Sequence, residues 1–257
     1  MAQANGTGAA GEEGEGNPVS RVYTSGADAK RGNAGLRLDK YLDVGPRRER
    51  IDVSDPAWGD VAGRRLDDPA YRLAYQRWES YWMGDAPARV CVRGRVKGRL
   101  AVGLGAKGVL EVGLRLQQVY GTPVIPASAV KGVLRGRLKD KALIAFLFGS
   151  EESAGFVRFQ DAWWAPDDKS PLAMDVVTPH HQKYYAKQGP PSDCDNPVPV
   201  PFLSVRGTFL FVAELVADAP SPEWKGYVER LLKETLERRG IGGKTAAGYG
   251  RFVFGGG

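Results

Sequence analysis

Between Val90 and Arg99 the chain reads VCVRGRVKGR, and its character changes at almost every step. Successive side chains of an extended segment point to opposite faces, so Val90, Val92 and Val96 share one face while Arg93, Arg95, Lys97 and Arg99 share the other. Such a segment is a half-buried strand with a basic outer surface. It demands a sheet with one face on a core, and it starts the main domain near Arg89.

Downstream, the periodicities alternate in a fixed order. A helix is expected after Pro126 and Ser128, with Val130, Val133, Leu134 and Leu138 on its apolar face. FVRFQDAWW, Phe156 to Trp164, reads as a second strand, and GTFLFVAELV, Gly207 to Val216, as a third. The 165–205 stretch between them is polar and Pro-rich and reads as a long insertion. PEWKGYVERLLKETLERRG turns Trp224, Val228, Leu231, Leu232 and Leu236 inward as a second helix, and YGRFVF closes as a fourth strand. The order β-α-β, insertion, β-α-β predicts an α+β domain over 89–257 with a ferredoxin-like, RRM-like arrangement: an antiparallel sheet with two helices on one face.

Residues 36–88 form a helical N-terminal extension. Pro69 follows an aspartate able to cap, and Tyr71, Tyr75, Trp78 and Trp82 recur at helical spacing. This stripe is expected to pack on the main domain rather than to stack on bases. Residues 1–35 hold eight glycines and few large apolar groups, so they read as a disordered leader. No secretory signal or long apolar run is present, and two distant cysteines fit a reducing, cytoplasmic setting.

Charge points to the partner. From Ala88 to Lys141 twelve Lys or Arg face only Glu111 and Asp140, a local +10 in a chain whose total is +6, leaving −4 elsewhere. A concentration of this kind suits a polyanion, most simply a nucleic acid.

The loop GIGGKTAAGYG, Gly240 to Gly250, invites a nucleotide-binding reading through its GGKT. A P-loop needs a glycine five positions before Gly243, and Arg238 stands there; a helix also precedes the loop and a strand follows, the reverse of a P-loop. Five glycines, at 240, 242, 243, 248 and 250, exceed what a helix cap requires. They suit a loop that runs flush along a ligand backbone, with N–H groups, Lys244 and Thr245 directed at phosphates. The expected topology sets this loop beside the start of the first helix, so Lys131 and Arg135, one turn apart, join the candidate set.

His180 and His181, in TPHHQKYY, are the only histidines. With Cys194 they lack the paired spacing of a zinc site, so no metal or other cofactor is expected. A histidine pair can also serve acid–base cleavage of RNA, although nothing else in the chain completes such a site.

Several motifs, in order, resemble the RAMP superfamily of CRISPR-Cas proteins: GLG with Glu111 before a glycine, YGTPVIPASAVKGVLR, FGS, a strand ending in DA, TPHHQKYY, D-x-x-P-x-P-x-x-FL and GIGGKTAAGYG. More narrowly the combination is similar to the family of sixth subunits of the type III-B Cmr effector complex, across about residues 91–254. The resemblance implies a subunit of a crRNA-guided ribonucleoprotein that targets foreign RNA, placed near the crRNA 3′ end among other Cmr RAMP subunits. It implies contact with crRNA, possible contact with target RNA, and no membrane. The related backbone subunit owes its cleavage to a loop aspartate, whereas LGAKGVLEVG here offers Lys107 and Glu111, which agrees with a non-catalytic role. Ala127 and Ala129 stand where the family pattern carries Gly and Ser, which removes one phosphate donor. The candidate RNA-binding set is Arg93, Arg95, Lys131, Arg135, His180, Gly242, Gly243, Lys244, Thr245 and Gly248. The alternative is a metal-independent RAMP endoribonuclease that processes precursor CRISPR RNA with His180 or His181.

Overall fold

The computed structural model describes residues 33, 56–66, 68–84, 86–105, 113–178, 199–216 and 222–255. The leader apart from Asn33, Lys107, Glu111, His180, His181 and Cys194 lie outside the described residues.

The alternating segment forms β1, Arg89–Val96, and the long apolar run forms β7, Thr208–Leu215; the two pair antiparallel from Arg89↔Glu214 to Arg95↔Thr208. On the far side of β7 lies the second expected strand, broken into β3, Val157–Phe159, and β4, Ala162–Trp164. Phe159 faces Ala213 while Trp163 faces Leu210, so the β3–β4 side carries one extra residue, a bulge at Gln160–Asp161. The bulge leaves Asp161 free to cap: its Oδ1 accepts from Ala127 N at 2.7 Å. Two short edge strands complete the sheet. β2, Val124–Ile125, pairs with β4, and β8, Phe252–Val253, pairs with β1, giving the order β2-β4-β7-β1-β8 with every pairing antiparallel.

Helices cover both faces. α3, Ala127–Arg135, ends earlier than Leu138 because Asp140 caps a new helix, α4, Lys141–Phe148, accepting from Ala142 N and Leu143 N. α5 runs from Pro222 to Arg238 and carries the Lys233–Glu229 ion pair at 2.6 Å, one turn apart. These three meet the face that holds Val90, Val92, Phe211 and Phe159: α5 packs on β1 and β8, and Phe148 stacks on Phe159 at 6.0 Å. Gly94 belongs to this face, where an added Cβ would meet the Phe254 and Phe252 rings.

The opposite face is closed by the N-terminal segment. α1 spans Pro56–Ala62, and α2 spans Pro69–Met83 with Asp68 accepting from Ala70 N at 2.7 Å. Tyr71, Tyr75 and Trp82 are buried, Trp78 stacks on Trp163 at 4.8 Å, and the Tyr71 hydroxyl donates to Trp164 O. Each buried ring contributes about 1.5–3 kcal/mol, enough to fix α2 on the sheet. The stripe therefore packs inside the protein.

Within 165–205, β5, Leu172–Val177, pairs antiparallel with β6, Val200–Val205, as a separate two-stranded sheet. Among the described residues no helix is long and apolar enough to cross a membrane.

Candidate nucleic-acid interface

The loop after α5 folds back on the chain that follows β1. Gly243 N donates to Ala101 O at 2.7 Å, Gly250 N donates to Arg99 O at 2.7 Å, and Ile241 N donates to Gly250 O at 2.9 Å. These bonds explain most of the glycines. A Cβ on Gly250, at φ +69°, would lie inside the contact distance of Ile241 O; one on Gly242, at φ +89°, would collide with Ala101 O. A Cβ on Gly243 would meet Leu104 Cδ1 at 2.6 Å. Only Gly248 among the candidate glycines looks onto open space, with a φ of +92°. The loop hugs a backbone, but the backbone is the protein's own.

What remains available to a ligand lies in the middle of the loop. Lys244 is left-handed, at φ 57° and ψ 29°, and a 3-10 turn over Thr245–Ala247 follows it. A left-handed residue followed by right-handed ones turns consecutive N–H groups toward one concavity, the arrangement of an anion nest. The N–H groups of Lys244, Thr245 and Ala246 have no hydrogen-bond partner among the described residues. Lys244 Nζ lies 5.4 Å from the Phe202 ring centroid, within cation–π range, and Phe202 sits 5.9 Å from Tyr249. The β5–β6 hairpin thus reaches the loop. Ser204 Oγ donates to Asp175 Oδ2 at 2.9 Å, and burial together with the nearby Asp175 carboxylate pushes the Tyr249 hydroxyl above its ordinary pKa.

Lys131 belongs to a different place. It lines a cavity of about 430 Å³ with Ser128, Ser150, Ser153 and Arg158 around a floor that includes Phe148 and Phe159. No residue of the Gly-rich loop lines that cavity. α3 approaches the end of α5 through Arg239 Nη1, which donates to Gly136 O at 2.8 Å. Lys131 makes no ion pair among the described residues, Arg158 lies 3.8 Å from Glu214, and Arg135 is exposed.

Arg93 and Arg95 stand exposed on the face that α2 covers, and Arg93 is ion-paired with Glu79 of that helix. In an RRM this is the face that offers aromatic rings to bases. Here Trp163 is stacked on Trp78 and Val212 and Leu210 are buried, so among the described residues that face of the sheet leaves no ring platform open. Among the described residues no three His, Cys, Asp or Glu side chains gather as a metal site.

A sheet-and-helix domain with a Gly-rich closing loop and a basic helix start defines a class. The chain matches the model of the RAMP superfamily over residues 81–253 and belongs to that superfamily. Its relatives narrow the comparison. The CRISPR system Cmr subunit Cmr6 of Pyrococcus furiosus is 27% identical, with 80% of this chain and 79% of that one covered. The CRISPR system CMR subunit Cmr6 of Saccharolobus solfataricus is also 27% identical, over 57% of this chain and 50% of its own length. In the cryo-EM structure of the type III-B Cmr-beta bound to cognate target RNA, one chain superposes with a TM-score of 0.63 at 22% identity, over 77% of this chain and 70% of that one. That last likeness is one of fold.

Proposed function

We propose that this chain is a Cmr6-type subunit of a type III-B CRISPR ribonucleoprotein and that it binds the crRNA backbone without cleaving RNA itself. The observation that carries this reading is the centre of the Gly-rich loop, where three consecutive N–H groups without a partner among the described residues surround a lysine. Phosphate oxygens satisfy such donors, and phosphate contacts position a strand without reading its sequence. The Cmr6 relatives support the assignment to the complex. The strand order β8-β1-β7-β3/β4, with α3 and α5 on one face, supports a ferredoxin-like core in which β5–β6 is an inserted, thumb-like hairpin. Placement near the crRNA 3′ end, with other Cmr RAMP subunits as neighbours and target RNA within reach, completes the reading; the setting is cytoplasmic.

Salt titration of RNA binding tests it. Lys244→Ala combined with Lys131→Ala lowers the slope of log affinity against log salt by about 1 to 2 units, uniformly across RNA sequences. An unchanged slope rejects the RNA-backbone reading. Site-specific cleavage of repeat RNA by the same preparation, resistant to EDTA and lost in His180→Ala, would instead establish the processing endoribonuclease.

A further inference from the structure

Arg99 stands next to the Gly-rich loop in a state that proteins rarely leave uncompensated. Its carbonyl accepts from Gly250 N at 2.7 Å, so its backbone is tied to the loop. Its side chain is half-buried, and Nη1 is fully buried with no hydrogen-bond partner. The guanidinium makes no ion pair among the described residues. Asp175, on the neighbouring hairpin, accepts from Ser204 Oγ at 2.9 Å and makes no ion pair among the described residues. The residue after Arg99, Leu100, exchanges backbone hydrogen bonds with Val205 of β6, its N donating to Val205 O at 2.7 Å and its O accepting from Val205 N at 2.8 Å, so Arg99 stands between the Gly-rich loop and the β5–β6 hairpin.

A guanidinium nitrogen shut off from water without an acceptor loses a hydrogen bond that it would make in the unfolded chain, even where the rest of the side chain is only half-buried. Such a cost persists where a ligand removes it. Lys244 adds a second cation on the same side, held over Phe202, whose ring neighbours Tyr249. The planar fork of an arginine matches two oxygens of a phosphate group, which a lysine ammonium does not.

We propose that Arg99 is an RNA-binding residue that engages a phosphodiester group where the Gly-rich loop meets the β5–β6 hairpin, adjacent to the phosphate held at Lys244. This rests on the backbone-binding reading of the loop and adds to it a side chain from just after β1, far from the loop in sequence.

The test uses the full chain and a fluorescent, unstructured single-stranded RNA, with binding followed from about 50 to about 200 mM salt. Arg99→Met binds roughly tenfold more weakly at low salt, the loss of one charge-assisted contact, and its salt slope falls by about 1. The melting temperature of the free variant equals or exceeds that of the native chain, because the substitution removes a buried donor that has no acceptor. Arg99→Lys keeps the slope and loses part of the affinity. Unchanged RNA affinity in Arg99→Met, or a lower melting temperature with unchanged affinity, overturns the proposal and makes Arg99 structural. If Arg99→Met does not fold, unchanged affinity in Arg99→Lys overturns it equally. Lys244→Ala run in parallel separates the two claims: binding weakened there but not in Arg99→Met rejects this inference alone, and binding unaffected in both rejects the loop reading as well.

Discussion

Two regions of this protein are made of the same materials and behave differently. On the outer face of the sheet, α2 brings Tyr71, Tyr75 and Trp78 together with Trp163 and Arg93; at the other region, the Gly-rich loop brings Lys244, Tyr249, Phe202 and Arg99 together. Under α2 the polar groups close on one another. Tyr71 donates to Trp164 O, Tyr75 donates to Glu79 at 3.0 Å, and Arg93 pairs with the same Glu79. At the loop, three N–H groups and a guanidinium nitrogen remain without partners among the described residues. Basic and aromatic composition is common to both, so composition does not separate a packing surface from a binding one. A lone leftover donor does not either, since the Trp164 indole nitrogen beside Tyr71 is buried without a partner; the gathering of several at one loop does.

The sharpest way to break this contrast is to remove the loop's shape while leaving its charge. Gly250→Ala forces a Cβ into Ile241 O at a positive φ, where neither neighbour is a flexible side chain. We expect a loss of about 3 kcal/mol or more of folding stability, read from denaturant titration, together with the loss of RNA binding. A variant that keeps native stability would show that the backbone packing described at Gly250 is not what holds the loop.

The α2 side answers to pH. Burial, more than any neighbouring charge, raises the Tyr71 and Tyr75 hydroxyls above the ordinary tyrosine value of 10.0. The folded state therefore holds these protons more tightly than the unfolded one. Their contribution is fully present below about pH 10 and is lost as pH climbs from there toward the folded values. Tyr71→Phe leaves Trp164 O without its donor and costs about 2 kcal/mol at neutral pH. Above pH 10 the gap between variant and native chain should narrow, since the variant no longer carries that titration. A gap constant to high pH would mean that the Tyr71 hydroxyl is not sealed under α2.

How much of this was legible in the sequence follows from where each signal resides. The alternation of β1, the apolar stripe of α5 and the aromatic stripe of α2 are local patterns, and each appears in place as a strand or helix. The bulge at Gln160–Asp161 is a matter of register against β7, which no local pattern in FVRFQDAWW displays. β6 contains Pro201, a residue that argues against a strand, so the hairpin with β5 reads from the sequence as loop. The glycines of the loop were legible as backbone-hugging; which backbone they hug depends on Ala101 and Leu104, some 140 positions away. Arg99 reads as one more cation on the strand's basic side. Only the fold shows that it alone there is left with a buried nitrogen and no acceptor.

Gly248 offers the smallest and most discriminating change. It shares a positive φ with Gly242 and Gly250, but no heavy atom stands within 4 Å of the position its Cβ would take. Gly248→Ala therefore pays only for the left-handed backbone, about 1 kcal/mol, with no steric term. If the open space beside Gly248 is where RNA passes, the added methyl group meets the ligand rather than the protein, and affinity falls further than stability does. If that space is ordinary solvent, stability drops by the same amount while RNA binding at saturating fold is untouched. The ratio of the two losses in one variant thus separates a glycine kept for its φ from a glycine kept for its neighbour, a distinction that Gly242 and Gly250, both crowded by the protein's own backbone, are unable to make.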